Sequence, residues 1–153
     1  MQRGIYACYT YNCMGIRYKD RYKIEGMKTN GLHVAAAGEA PGITVGRDGN
    51  IMISGRFLRN NTPDSPDCLL KRVTGYFSDP AEVTTLNLHI EYLEAVKSPL
   101  IISAIRKLMQ ARSTDNHLVV NWFYEEGDDD MLEQGEYISW AAGQPFNYIM
   151  IPA

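Results

Sequence analysis

Strand-like and helix-like runs take turns along most of this sequence, and that alternation leaves few folds open. The stretch "VTTLNLHIEYL", residues 83–93, sets Leu86, Leu88, Ile90 and Tyr92 against Asn87, His89 and Glu91. A period of two of this kind predicts a strand with one buried face. Ser98-Pro99 follows, a residue pair suited to an N-cap and the first helical position, and then Leu100, Ile101, Ala104, Ile105, Leu108 and Met109 recur at helical spacing up to about Arg112. Beyond it, "HLVVNWFYE" reads as a strand, "DDDMLEQGEYISWAAG" as an acid-capped helix stopping at Gly143, and "FNYIMIPA" as a last strand.

Upstream, Ile43–Gly46 and Asn50–Gly55 are two β-rich runs joined by Arg-Asp-Gly, which predicts a hairpin. Ser65-Pro66 opens a further helical pattern through Leu69, Leu70, Val73, Tyr76 and Phe77, predicted to end near Ser78 before Pro80. The resulting order is β-β-α-β-α-β-α-β. Units of about 30 residues imply right-handed crossovers, so the expected fold is α/β: a mixed, mostly parallel sheet of about five strands with about three helices packed against it.

Composition narrows the function more than the fold. A net charge of −3 over 153 residues gives no concentrated basic face for nucleic acid. Apolar runs such as Pro99–Ile102 fall far short of the roughly 20 residues a membrane span needs, so no membrane insertion is expected. Cys8, Cys13 and Cys68 are odd in number and lack zinc-knuckle spacing, which fits a reduced, cytoplasmic chain. Residues 1–26 differ from the rest: they hold Tyr6, Tyr9, Tyr11, Tyr18 and Tyr22, and five basic residues against two acidic ones. We read residues 1–40 as a basic, Tyr-rich N-terminal extension, with Met27 a candidate alternative start, and residues 41–153 as the folded domain.

Reaction machinery is scarce. Nucleotide-binding, zinc-protease and hydrolase motifs are absent, and His33, His89 and His117 stand apart from any partner at metal-ligand spacing. The acidic run from Glu125 to Asp130, followed by Glu133 and Glu136, has no EF-hand spacing; Asp128, Asp129 and Asp130 suit the start of a helix, with Glu125, Glu126, Asp128, Asp129 and Tyr92 as a candidate partner surface. The alternative is a metal- or small-ligand-binding protein that uses the acidic residues 125–136 with Trp122, Tyr124 and Tyr137.

"GNIMISGR", "NLHIEYLEAVKSP", "HLVVNWFYEEGDDDMLEQGEYIS" and "PFNYIMI" together resemble the SiaC-type regulatory phosphoprotein family, over about residues 41–151. The resemblance implies a STAS-like fold, as in anti-sigma-factor antagonists, and a cytoplasmic, non-enzymatic regulator without cofactor or metal. It also implies protein partners: a Ser/Thr kinase that phosphorylates a threonine, a PP2C-like phosphatase, and a diguanylate cyclase of c-di-GMP signalling bound by the unmodified form. A STAS-like anti-sigma-factor antagonist is a further alternative. Where the family carries Tyr-Leu-Asn-Thr-Ser-Ser, this chain has Tyr92-Leu93-Glu94-Ala95-Val96-Lys97, so Ala95 replaces the phosphoacceptor threonine. The regulatory loop is then Glu94, Ala95, Val96, Lys97 and Ser98. Either the switch is lost, or Ser98 is an alternative phosphoacceptor, though its place before Pro99 suits a cap.

Overall fold

The computed structural model describes residues 32–34, 41–59, 62, 70–71, 73, 75–111 and 117–153. They form a six-stranded sheet in sequence order: β1 (Leu32–Val34), β2 (Gly42–Val45), β3 (Asn50–Phe57), β4 (Val83–Leu93), β5 (His117–Glu125) and β6 (Phe146–Ile151). The first two pairings are antiparallel and the last three parallel. Two α-helices, α1 (Ser98–Ala111) and α2 (Asp129–Ala142), are the crossovers after β4 and β5. Each crossover steps to the next strand in the same direction, so right-handed connections set both helices on one face of the sheet.

Strand β1 is an addition to the expected five strands and lies within the stretch read as an extension, so the sheet starts before residue 41. The helix expected over residues 65–78 falls mostly outside the described residues. Its described end is a 3-10 turn, Tyr76–Ser78, and Leu70, Val73 and Tyr76 are buried as their spacing implies. Buried Tyr76 is held by its hydroxyl, 2.8 Å from Thr84 Oγ1 and accepting from Ala81 N at 3.0 Å. The hairpin forms as read: Asp48 Oδ1 accepts from Asn50 N at 3.1 Å across the β2–β3 turn.

Between sheet and helices lies one apolar core. Ile51, Ile53, Leu86, Leu88, Val120 and Trp122 from the strands meet Ile101, Ile105 and Leu108 of α1 and Met131, Ile138 and Ala142 of α2. Each large side chain so buried contributes on the order of 1.5–3 kcal/mol. Trp122, fully buried, donates its indole N–H to the Met131 carbonyl at 3.0 Å, which fixes the first turn of α2 over β5. That helix begins and ends as its sequence directs. Asp128 caps it by accepting from Met131 N at 3.0 Å, and Gly143 stops it in the left-handed conformation at φ 72°.

The second face of the central strands is also covered, contrary to the one-sided reading of β4. Asn87 and His89 are as buried as core residues, at 3% and 6% exposure. Asn87, Asn121 and Asn147 lie opposite one another on three adjacent strands. Asn121 Nδ2 donates to Asn87 Oδ1 at 2.9 Å, and Asn147 Nδ2 to Asn121 Oδ1 at 3.1 Å. A slip of one residue would break this ladder and turn every core side chain outward, so it reinforces the register.

Gly135 is the tightest point of the helix–sheet contact. A Cβ there would lie 2.5 Å from Trp122 Nε1 and 2.7 Å from Cδ1, and the buried, hydrogen-bonded indole has nowhere to go. Gly135→Ala should therefore destabilise the chain by about 1–3 kcal/mol, outweighing a helix-propensity gain of about 1 kcal/mol. Urea denaturation of the two proteins measures the difference.

Candidate functional site

Because β3 to β6 run parallel, Phe57, Leu93, Glu125 and Ile151 all end on the same rim of the sheet, the side where open α/β folds carry their functional groups. Three segments meet there: the chain leaving β3, the elbow between β4 and α1, and the acidic turn between β5 and α2. Their arrangement starts with an irregularity in the β3–β4 ladder. Gly55 faces Ile90, but Arg56 faces Tyr92, which leaves Glu91 as an extra residue. Gly55 has φ 111°, a conformation that favours glycine, and this bulge resets the inward–outward alternation of β4.

Of the two sequence readings of Tyr92, on the buried strand face and on a candidate partner surface, the reset overturns the first. Strict alternation puts it in the core with Leu86, Leu88 and Ile90; in the structure Leu93 takes the core position and Tyr92 is 46% exposed. The guanidinium of Arg56 lies over its ring, 5.4 Å from the centroid, which steadies an exposed aromatic side chain beside the elbow.

The elbow is anchored from behind. Glu94 N donates to Phe57 O at 3.0 Å, and the Glu94 carboxylate accepts from Arg59 N. Lys97, buried, sends its ammonium to the Thr62 carbonyl at 3.1 Å. Gln134 Nε2 donates to Leu93 O at 3.4 Å, tying α2, and with it the acidic turn, to the elbow. Together these bonds fasten the elbow to the segment after β3 on one side and to α2 on the other.

Of the five residues expected to form an open regulatory loop, only Ala95 and Val96 face solvent. Val96 is 53% exposed, unusual for a β-branched apolar side chain. Lys97 and Ser98 are buried instead. Glu94 is half-buried, and its carboxylate is engaged with Arg59 N. Nor does Ser98 cap the helix: its φ −55° and ψ −42° are helical, and the extended residue is Glu94, at φ −64° and ψ 132°. The reason is a 3-10 turn, Ala95–Lys97, which runs straight into α1 and moves the start of helical structure three residues upstream of Ser98. Pro99 is tolerated because it still lies in the first α-helical turn.

Glu125, Glu126 and Asp129 are exposed on the neighbouring turn, while Asp128 is engaged as the cap. Glu126 N donates to Ile151 O at 2.9 Å, which carries the turn to the end of β6. The reading of this run as a cation site finds no support, because among the described residues no three His, Cys, Asp or Glu side chains are placed to share a metal ion. Trp122 and Tyr137 do not share a pocket either, one lying under α2 in the core and the other exposed on that helix. Arg56, Thr62 and Gln134, which complete the rim, are not singled out by sequence; the available signal is Gly55, a glycine inside a strand pattern and so a bulge marker.

The sequence profile described as SiaC family regulatory phosphoprotein matches residues 35–151. The chain belongs to the SiaC family. Among solved structures, a chain of the complex of diguanylate cyclase SiaD with its activator SiaC from Pseudomonas aeruginosa shares the fold, with TM-score 0.61 and 17% identity over 78% of this chain and 99% of that one. Apo-SiaC of the same organism matches with TM-score 0.57 and 17% identity over 77% of this chain and 97% of that one. No curated protein matches the sequence. No helix among the described residues is long and apolar enough to cross a membrane.

One titratable group on the second face of the sheet responds to pH. His89 packs beside Phe123, ring centroids 6.1 Å apart, and burial lowers its pKa from the ordinary 6.5, opposed by the charges of Glu91 and Glu125. Below pH 6.5 the unfolded chain therefore takes up a proton at this residue that the folded chain resists. Stability should fall as pH drops through and below that value, and His89→Gln should flatten the slope; urea midpoints at about pH 7.5 and about pH 5.5 measure both.

Proposed function

We propose that this SiaC-family chain is a cytoplasmic regulator that acts by binding a signalling enzyme, without turnover of its own, and that its elbow is fixed in the unmodified state. The observation that carries this reading is the geometry of residues 92–96. Tyr92 and Val96 are both exposed on a backbone anchored by Glu94, Lys97 and Gln134, and Ala95, which the resemblance sets at the family's threonine, faces solvent. Exposed apolar groups on a rigid frame suit protein docking, since little ordering entropy is lost on binding. The P. aeruginosa protein of like fold is named as the activator of a diguanylate cyclase, and an enzyme of that class is the partner we propose here.

A kinase and a PP2C-like phosphatase, implied by the family, find no acceptor at Ala95. Ser98, the remaining hydroxyl of the elbow, is buried in the first turn of α1 and is a poor kinase substrate for that reason. The rim is therefore in a constitutively binding form. Glu94 does not imitate a phosphate, because its carboxylate is taken up by Arg59 N and carries about one charge where a phosphate carries about 1.5–2.

Two measurements test this. Adding the purified chain to its cyclase should raise c-di-GMP production, and Val96→Glu, which adds a charge at an exposed position, should weaken that binding about tenfold or more (~1.4 kcal/mol). Incubation with the family's kinase and ATP should leave the intact mass of the wild-type chain unchanged while Ala95→Thr gains one phosphoryl group. A phosphoryl group mapped to Ser98 in the wild-type chain would contradict the fixed-state reading.

A further inference from the structure

The outward face of α2 presents an aromatic pair that the fold does not use. Trp140 is 80% exposed and Tyr137 55%, with ring centroids 6.4 Å apart. Burying an indole contributes more than burying almost any other side chain, so one left in solvent on a rigid helix marks a contact surface. The same helix is one-signed: Asp129, Asp130, Glu133 and Glu136 are exposed, and "DDMLEQGEYISWAA" contains no Lys or Arg. The face therefore favours a partner that is both basic and aromatic.

Such a segment exists within this chain. Residues 1–26 carry Arg3, Arg17, Lys19, Arg21 and Lys23 against Asp20 and Glu25, with five tyrosines interspersed. The segment lies outside the family match, which begins at residue 35, and the P. aeruginosa structures, matched over 97% or more of their length, leave about a fifth of this chain unmatched. We propose that residues 1–26 dock in cis on the α2 face centred on Tyr137 and Trp140, with arginine and lysine side chains over the rings and against Glu133 and Glu136.

Reach and strength both permit it. The segment enters the fold at β1, the edge of the sheet opposite β6, five strand spacings or about 24 Å from the far edge. An extended chain of 26 residues spans up to about 85 Å. Exposed ion pairs and cation–π contacts are weak one at a time. Tethering replaces a bimolecular encounter with an effective concentration in the millimolar range, which populates a contact of that strength. The inference does not depend on what binds the elbow.

Trp122 is fully buried, so the quenchable tryptophan signal comes from Trp140. Acrylamide quenching of the full chain at low salt should be about two- to threefold weaker than that of the full-length quadruple variant Arg17→Glu, Lys19→Glu, Arg21→Glu, Lys23→Glu, and added salt at about 0.5 M should bring the wild-type chain to the variant's value. Adding Glu133→Lys and Glu136→Lys to the charge-reversed chain should restore protection. Equal quenching of wild type and quadruple variant, with no response to salt in the wild type, overturns the proposal. Protection that grows with protein concentration overturns docking in cis and assigns the face to a second copy.

Discussion

Two charged side chains hold the candidate rim in place. Glu94 and Lys97, three residues apart on the elbow, reach back to the segment leaving β3, the carboxylate to Arg59 N and the ammonium to the Thr62 carbonyl. Burying a lysine is costly unless its donors are satisfied, so this bond couples the elbow to residue 62: one cannot lift away without exposing the other. Ala95 and Val96 face solvent because the residues on either side of them are fixed inward.

The bulge at Gly55 and Arg56 does the complementary work on the strand side. By adding Glu91 to the ladder it sends Leu93 into the core and Tyr92 out, where Arg56 covers one face of the ring. Bulges near functional rims re-aim side chains in this manner. Here Tyr92 stays on the surface, while Glu94 and Lys97 after it anchor the elbow.

Where sequence and structure agree, the signal was local and periodic. The alternating strands, the Asp128 cap, the Gly143 stop and the apolar stripe of α1 depend on neighbours within a few residues, and each is where the sequence puts it. The family itself was recognisable from "NWFYEEGDDDMLEQGE" and the strands around it. What the sequence concealed depends on distant partners. Lys97 reads as a surface residue until Thr62 is beside it, and Ser98 reads as a cap until the 3-10 turn extends the helix upstream. Asn87 and His89 read as a polar face until the asparagine ladder and Phe123 cover them. β1 escaped notice because three residues are too short to show a period.

We propose that a signalling enzyme docks on the anchored rim, with its solvent-facing Ala95 and Val96. Hydrogen–deuterium exchange of the full chain, alone and with a saturating diguanylate cyclase, tests it most directly. Added protection should be concentrated in the amides of residues 92–98 and 56–59, with α1 beyond its first turn unaffected. Exchange at the rim unchanged by a cyclase that is demonstrably bound, or protection confined to other surfaces of the sheet, would contradict it.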